Sequence, residues 1–554
     1  MKRIISKAIT LLLVGIIVSS MAYPAVAALS RTYTLDADFD EGTLVGVEHT
    51  SVADQLQLSK TPSALPFIWI PNSNEGTVSK VNTETGQELG RYRTGPQDKA
   101  QGSPSRTTVD LSGNVWFGNR ATGTVVKIGL YEAGQCEDRN SDGVIQTSQD
   151  INGDGDITNQ YGTEILAWPS YASFSNDECV LKEVFLGVSA GTYENNEWGI
   201  GPRGIAIDSS NNVWAGSNGQ QKYYYINGVT GAIIKTINTP NNKPYGAVVD
   251  KLGILWSSGQ DSNTVARIDP STDAVSYIYP GHFVYGIGLD TDNHLFVSGW
   301  ESSKLSRINV LSASKDWTKI GKYQSRGVAV TPDNDVWVAT SPSNIVTRYD
   351  HDGVEKAVIN VGNYPTGVSV DNAGKVWAVN LNDGYIKRIN PATDTIDLSK
   401  LIKGITGSGI AQHYGYSDMT GYISRSITTK IGTWTVDYDS GAAGTTWGKV
   451  SWNGYTPPGT SITVKVRSSP DGTTWGGWET ASSGVSLSST SAGQYLQVQT
   501  TLQIVSGDVS PILYDLTVAS SDGTTAIPEF PTIALPILSV IGLMALMYNR
   551  RREE

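Results

Sequence analysis

The residues in this chain best placed to do chemistry are oxygen donors in two consecutive loops, DRNSDGVIQTSQ (138–149) and DINGDGDITNQY (150–161). Each loop has oxygen side chains at positions 1, 3 and 5, glycine at 6 and an aliphatic residue at 8. These are Asp138, Asn140, Asp142, Gly143 and Ile145, then Asp150, Asn152, Asp154, Gly155 and Ile157. Ca2+ takes about six to eight oxygens around a sharp turn, and the position-7 carbonyls of Val144 and Asp156 would extend each set. The bidentate glutamate expected at position 12 is Gln149 in one loop and Tyr161 in the other, leaving Asp150 to close the first, and Asp156 or Glu164 the second. The expectation is structural Ca2+, weighed against a pair of solvated acidic turns. The two cysteines, Cys136 and Cys179, bracket these loops. In an exported chain that count reads as one disulfide, worth about 3–4 kcal/mol in the loop-entropy model.

The elements that must position these loops are set by a repeat. GIAIDSSNNVW (204–214) returns as GAVVDKLGILW (246–256), GIGLDTDNHLF (286–296), GVAVTPDNDVW (327–337) and GVSVDNAGKVW (367–377), with a looser copy RTTVDLSGNVW at 106–116. The aromatic positions 214, 256, 296, 337 and 377 are separated by 42, 40, 41 and 40 residues. A fixed period near 40, with two strands per signature and room for two more, predicts one four-stranded propeller blade per copy. Glycine starts the innermost strand in a crowded place, the Asp/Asn/Gly run turns the hairpin, and Trp or Phe fills the wedge between blades.

The wide Trp116–Trp214 spacing marks an insertion, 131–200, not a missing blade. Phe67 to Tyr92 has the later strands of a blade without a lead strand, and Gly409-Ile410-Ala411 supplies a lead strand without a tryptophan. Paired, they complete a seventh blade. The residues just before the lead glycines, Arg203, Tyr245, Tyr285, Arg326 and Thr366, with Ser105 in the looser copy, are then expected at one mouth of the channel. Arg and Tyr suit anionic, glycan or peptide ligands, or else simply cap the channel.

The 554 residues, with 59 Gly, 15 Trp and 17% charged residues, fit a turn-rich all-β protein of two or three domains. A net charge of -12 argues against nucleic acid as a partner. Lys2, Arg3 and Lys7, an apolar run to Met21 and Ala25-Val26-Ala27 predict a signal peptide over 1–27. Residues 28–64 are expected as two strands leading into the ring, a lid or an added pair, with His49 on the surface. The propeller is assigned to 65–421 and a jelly-roll-like β-sandwich to 422–519, where Trp475 and Trp478 offer a sugar platform or, more simply, packing. A linker over 520–530 leads to an apolar segment, 531–548, long enough to span a bilayer, and a basic cytoplasmic tail, 549–554.

Three resemblances follow. The Asp loops resemble those of EF-hands, dockerins and thrombospondin-type repeats. The blade copies resemble NHL propellers and, more closely, the streptogramin B (virginiamycin B) lyase family, which implies a seven-bladed ring and a Mg2+-dependent ring-opening elimination served by His and Glu. In that family the blade tryptophan commonly runs on as Phe-Thr-Glu. Here the corresponding residues include Trp214-Ala215-Gly216-Ser217 and Trp337-Val338-Ala339-Thr340, and no blade keeps the Glu. His282, His294, His351 and His413 are scattered without such a carboxylate, so no catalytic residue is assigned. The tail, Pro528-Glu529-Phe530, apolar run and Arg550-Arg551-Arg552, resembles the PEF-type sorting signal of archaeal surface proteins. That implies an archaeosortase as processing partner and a membrane or lipid anchor on the outside of the cell. The leading functional expectation is therefore binding of an envelope glycan or surface protein. A lyase or hydrolase at the channel mouth, or a purely structural component, are the alternatives.

Overall fold

The alternating apolar positions fold as short antiparallel strands. The computed structural model describes residues 29–59, 65–160, 164–425, 431–504 and 509–521; the expected signal peptide, the Pro528-Glu529-Phe530 motif, the spanning segment and the basic tail lie outside the described residues. Among the described residues, no helix is long and apolar enough to cross a membrane.

Each signature forms the first hairpin of a four-stranded sheet in which strands pair in sequence order. In blade 3 these strands are Pro202–Ile207, Val213–Ser217, Lys222–Ile226 and Ile233–Asn238. Blade 2 begins at Pro104, and blades 4 to 7 at Pro244, Ile287, Ser325 and Pro365. Blade 1 has three strands of its own, Phe67–Asn72, Thr77–Asn82 and Glu88–Arg93. Its inner edge is covered from the far end of the chain. Trp69 N–H donates to the Met419 carbonyl and Ser73 N–H to that of Gln412, both at 2.9 Å, and Asn72 bridges His413. The same segment bridges Arg106 of blade 2 through Tyr416 and accepts the Thr366 hydroxyl of blade 7 at His413 O, 2.9 Å away. Residues 412–419 thus complete a seven-bladed ring and leave no open lead edge.

The lead segment starts later than the sequence suggests. Gly409-Ile410-Ala411 folds back on the last strand of blade 7, where Ala411 N–H donates to Ile402 O at 3.1 Å and Ile410 bridges Lys403. A tight turn over 404–409, with Gly407 and Gly409 both at positive φ, causes the reversal.

One aromatic side chain closes each wedge: Trp69, Trp116, Trp214, Trp256, Phe296, Trp337 and Trp377, none more than 1% exposed. Trp256 packs on Ile287 and Leu295 of blade 5, and Trp377 on Ile68 and Ile70 of blade 1. The lead glycines are required by close approach of neighbouring strands. A Cβ on Gly286 would stand 1.9 Å from Arg326 O, and one on Gly367 2.0 Å from Gly415 O.

The 131–200 segment is not a pure insertion, because Val180–Phe185 is the outer strand of blade 2 and pairs with Thr124–Ile128. The added chain lies on either side of it, in 129–179 and 186–201. The expected N-terminal lid is likewise absent from the ring. Ser30–Tyr33 pairs with Ile512–Ser520 (Arg31 opposite Val518), and Thr43–Val45 with Ile431–Asp439 (Leu44 opposite Trp434). Both sandwich sheets therefore contain N-terminal strands, and the propeller is inserted within the sandwich. The apolar faces of Tyr33, Phe39 and Leu56 share one core with the buried Trp434, Leu496 and Leu516 of the C-terminal strands. His49 is buried rather than on the surface, held by Asp36 at 3.2 Å and Asp40 at 3.0 Å.

The lead-strand contact makes a stability prediction. Gly286→Ala forces backbone apart and is expected to lower the melting temperature by several degrees. Gly477→Ala, where an added Cβ meets nothing within 4 Å, is expected to leave it unchanged in the same thermal scan.

Candidate functional site

Each lead strand enters the channel with the residue before its glycine foremost, and the ring brings these residues from different blades into one cluster. Arg203, Tyr245, Tyr285 and Arg326 are all buried, and the closing segment adds Tyr414 and Tyr416. Tyr414-Gly415 repeats the residue-then-glycine start of the other lead strands, the signal that marks Tyr414 as a member of the set. Arg106, standing where other blades have the lead glycine, and Tyr416 are the remaining members that sequence reasoning missed. Thr366 bonds the closing strand instead, and Ser105 lies buried beside the cluster.

The phenols bond one another: Tyr245 Oη lies 2.6 Å from Tyr285 Oη and 2.8 Å from Tyr414 Oη, with Tyr285 and Tyr414 2.9 Å apart. Arg326 donates to Tyr285 at 3.1 Å, to Tyr414 at 3.4 Å and to Tyr416. Arg106 is sandwiched over Tyr416 at 3.9 Å and Tyr245 at 4.4 Å, and Arg203 lies 4.1 Å over the ring of Trp198. Among the described residues, no carboxylate pairs with Arg106, Arg203 or Arg326. Arg106 keeps Nε and Nη2, and Arg203 and Arg326 keep Nε, without any acceptor.

Burial holds the phenols of Tyr245, Tyr285 and Tyr416 above their ordinary range and presses Arg106 downward. Burial acts upward on Tyr414 too, but the guanidinium groups of Arg326, Arg203 and Arg120 outweigh it and bring this phenol down to about 6. The lowered phenol favours the ionised form of Tyr414, whose oxygen is placed to accept from Tyr245, Tyr285 and Arg326. Three guanidinium groups without a paired carboxylate leave the axis positive, in contrast to the acidic chain around it.

Above this cluster opens a cavity of about 720 Å3 whose lining includes Asn74, Gln101, Arg120, Asn196, Glu197 and Tyr414. Arg120 lies 4.3 Å over the Tyr414 ring and pairs with Glu197 at 3.2 Å. The four residues expected to meet a ligand at the mouth, Arg203, Tyr245, Tyr285 and Arg326, therefore lie beneath the cavity floor, and Arg120 and Tyr414 form the part that faces outward.

The two Asp loops are built alike. Asp138 accepts backbone N–H from Ser141 (2.7 Å) and Gly143 (2.9 Å); Asp150 accepts the same pair of positions, Gly153 and Gly155, at 2.8 Å each. Buried carboxylates from outside each loop take the N–H groups of loop positions 2, 3 and 9. Glu178 accepts Arg139, Asn140 and Gln146 at 2.8, 3.3 and 2.9 Å. Glu164 accepts Ile151, Asn152 and Thr158 at 3.2, 3.3 and 2.8 Å. Glu178 was not foreseen; its position beside Cys179, whose disulfide to Cys136 brings it onto the first loop, was the available signal. Asp154 bonds within its loop, accepting Asp156 N–H. The Asp156 side chain turns away to Lys400 and Lys403, at 2.8 and 2.6 Å.

His413 and His282 hold neutral positions by burial, their ring nitrogens 3.1 Å from Gly384 O and 2.7 Å from Ser306 Oγ. His294 and His351, expected to be unpaired, share the carboxylate of Asp290. In the sandwich, Trp475 and Trp478 pack on Arg467, at 5.2 and 4.5 Å.

Residues 527–552 match the PEF-CTERM archaeal protein sorting domain, the C-terminal signal of archaeosortase-processed cell-surface proteins. The chain is thus a surface protein anchored at its C-terminus. No curated protein matches the chain. Among solved structures it is similar to virginiamycin B lyase from Staphylococcus aureus, at 16% identity and TM-score 0.40 over 60% of this chain and 90% of that one. It is also similar to a streptogramin B lyase (12%, 0.41, 64% and 96%) and to a functionally unknown protein from Desulfotomaculum acetoxidans (12%, 0.43, 64% and 100%). At these identities and scores no activity passes to this chain.

The electrostatics of the channel can be tested by titration. One tyrosine is expected to ionise in the region of 6, seen as phenolate near-ultraviolet absorbance, and Tyr414→Phe is expected to remove that step. Because the folded value is depressed, the stability that the phenolate contributes is lost as pH falls through about 6.

Proposed function

We propose that this anchored propeller is a binding protein whose channel mouth takes an acidic glycan of the cell envelope. The observation that carries this reading is a cluster of buried guanidinium groups without carboxylate partners, directly beneath a polar cavity. A buried cation left without a counter-charge is costly, and an anionic group brought into the cavity gains from all of them at once. Asn74, Gln101 and Asn196 supply the amide donors and acceptors that sugar hydroxyls need, and Trp198, 54% exposed next to Glu197, supplies an apolar face for a ring. The direction of the mouth fits the same reading. The sandwich meets the opposite face of the ring, where Gln503 donates to Ser112 in the first hairpin turn of blade 2 at 3.1 Å. Since the anchor leaves from the sandwich, the mouth points away from it.

The second part of the proposal concerns the Asp loops. Asp138, Asn140 and Asp142 with the Val144 carbonyl, and Asp150, Asn152 and Asp154 with the Asp156 carbonyl, hold structural Ca2+, and the disulfide keeps both loops against blade 2.

Two outcomes are expected. The purified chain is retained on polygalacturonate and not on dextran, less so as salt rises, and Arg120→Gln or Trp198→Ala weakens retention by about tenfold, about 1.4 kcal/mol, with melting temperature unchanged. Equal retention on both polymers, or indifference to both variants, defeats the glycan assignment. Chelation by EGTA is expected to lower the melting temperature by several degrees, and Asp138→Asn combined with Asp150→Asn to abolish that response in calorimetry.

A further inference from the structure

The repeat makes one departure conspicuous. In each GxxxD turn the first carboxylate oxygen takes backbone N–H groups. Asp250 Oδ1 accepts Leu252 and Ile254 at 2.8 and 3.0 Å, and Asp371 Oδ1 accepts Ala373 and Lys375 at 2.9 Å each. In blades 4 and 7 the second oxygen takes the indole N–H of the wedge tryptophan, Trp256 at 2.7 Å and Trp377 at 2.8 Å. Blade 5 keeps the turn, with Asp290 Oδ1 accepting Asp292 and His294 at 2.8 and 2.7 Å. Its wedge residue, however, is Phe296, which has no N–H to give. Asp290 Oδ2 is therefore released from the usual contact in a side chain with no solvent exposure.

Two imidazoles converge on that oxygen. His294 Nδ1 lies 3.2 Å from it, and His351 Nε2, from the outer hairpin of blade 6, 3.0 Å from it. The two nitrogens are 3.3 Å apart. We propose that Asp290, His294 and His351 bind a divalent transition-metal ion of the zinc class, stapling blade 5 to blade 6.

The triangle of donor atoms has the size the ion requires. Tetrahedral coordination at about 2.0 Å places neighbouring ligands about 3.3 Å apart, close to all three observed edges. Two imidazoles and one carboxylate are a donor set for zinc and its neighbours rather than for Ca2+ or Mg2+. Asp316 stands 3.9 Å from His294 Nε2, on the side where a ligating histidine keeps its proton and finds a carboxylate. The His294 and His351 side chains are 17% and 31% exposed, which leaves a solvent path to a fourth, water-occupied position. Arg307 donates to His351 Nδ1 at 2.9 Å, a contact it must give up when that nitrogen carries the proton. The same Nη1 retains the His351 carbonyl and Asp352, each at 3.1 Å, and Nε retains Asp316 at 2.9 Å.

The test uses the full-length chain in detergent, stripped of metal and kept in excess Ca2+ so that the Asp loops do not compete. Wild type is expected to bind one more equivalent of Zn2+ than His294→Asn, which installs the residue that blades 2 and 3 carry as Asn114 and Asn212. Co2+ in its place is expected to give the intense visible bands of a tetrahedral site. Phe296→Trp restores the indole that blades 4 and 7 use and is expected to lose the same equivalent while keeping the fold, read by near-ultraviolet circular dichroism. His49→Gln is expected to keep it. Equal Zn2+ stoichiometry in wild type, His294→Asn and Phe296→Trp overturns the proposal, as does loss of the equivalent in His49→Gln alone.

Discussion

The structure depends on one backbone contact made between the two ends of the ring: residues 412–419 lying against Phe67–Asn72. Without that segment blade 1 presents a bare lead edge, the wedge between blades 7 and 1 stays open, and Trp377 loses the Ile68 and Ile70 surface that buries it. A ring of sheets has no other means of burying both faces of every blade, so closure is a condition for all seven wedges at once. The same segment also carries Tyr414 and Tyr416 into the axis. Ring closure and assembly of the guanidinium–phenol cluster are consequently one event, and the cluster's geometry is as rigid as the ring.

Closure is repeated at a second level. The sandwich is built from strands before and after the propeller, with Arg31 opposite Val518 and Leu44 opposite Trp434. The chain therefore enters and leaves the ring at neighbouring points, and the sandwich clamps the two ends that the closing segment joins. Each closure lowers the entropy that the other must overcome, because the ends of a long loop are already held together.

Legibility in the sequence follows from which contacts are local. The period and the wedge aromatics recur in every copy and the turn aspartate in all but that of blade 6, so blade number and strand order were readable from spacing alone. The closing strand was placed a few residues early because the turn over 404–409 has no counterpart in the repeat. The N-terminal strands carried a strand pattern but no sign of their partner, which lies at the other end of the chain. The cluster was half visible: Arg203, Tyr245, Tyr285 and Arg326 share a repeat position, whereas Arg106 sits at a glycine position and Tyr414 follows an irregular stretch. Glu164, named from the sequence as a closing residue of the second loop, does reach it, whereas Glu178 comes from 29 residues beyond the first loop, where loop spacing could not reveal it.

An internal repeat supplies its own control, and this changes what a single residue can say. In blades 4 and 7 the turn aspartate and the wedge tryptophan satisfy each other, so the pair needs no explanation beyond folding. Blade 6 makes a compensated exchange, Thr331 for Asp, with Trp337 Nε1 still bonded at 3.1 Å. Blade 3 substitutes a different donor, Tyr225 Oη at 2.5 Å from Asp208 Oδ2. Blade 5 alone removes the aromatic donor and places two histidines at the orphaned oxygen. Packing cannot be the reason, since Phe296 fills its wedge with no exposure, as the tryptophans do. What differs is the chemistry at the carboxylate, and a position where the fold is already satisfied is where such a difference points to a ligand.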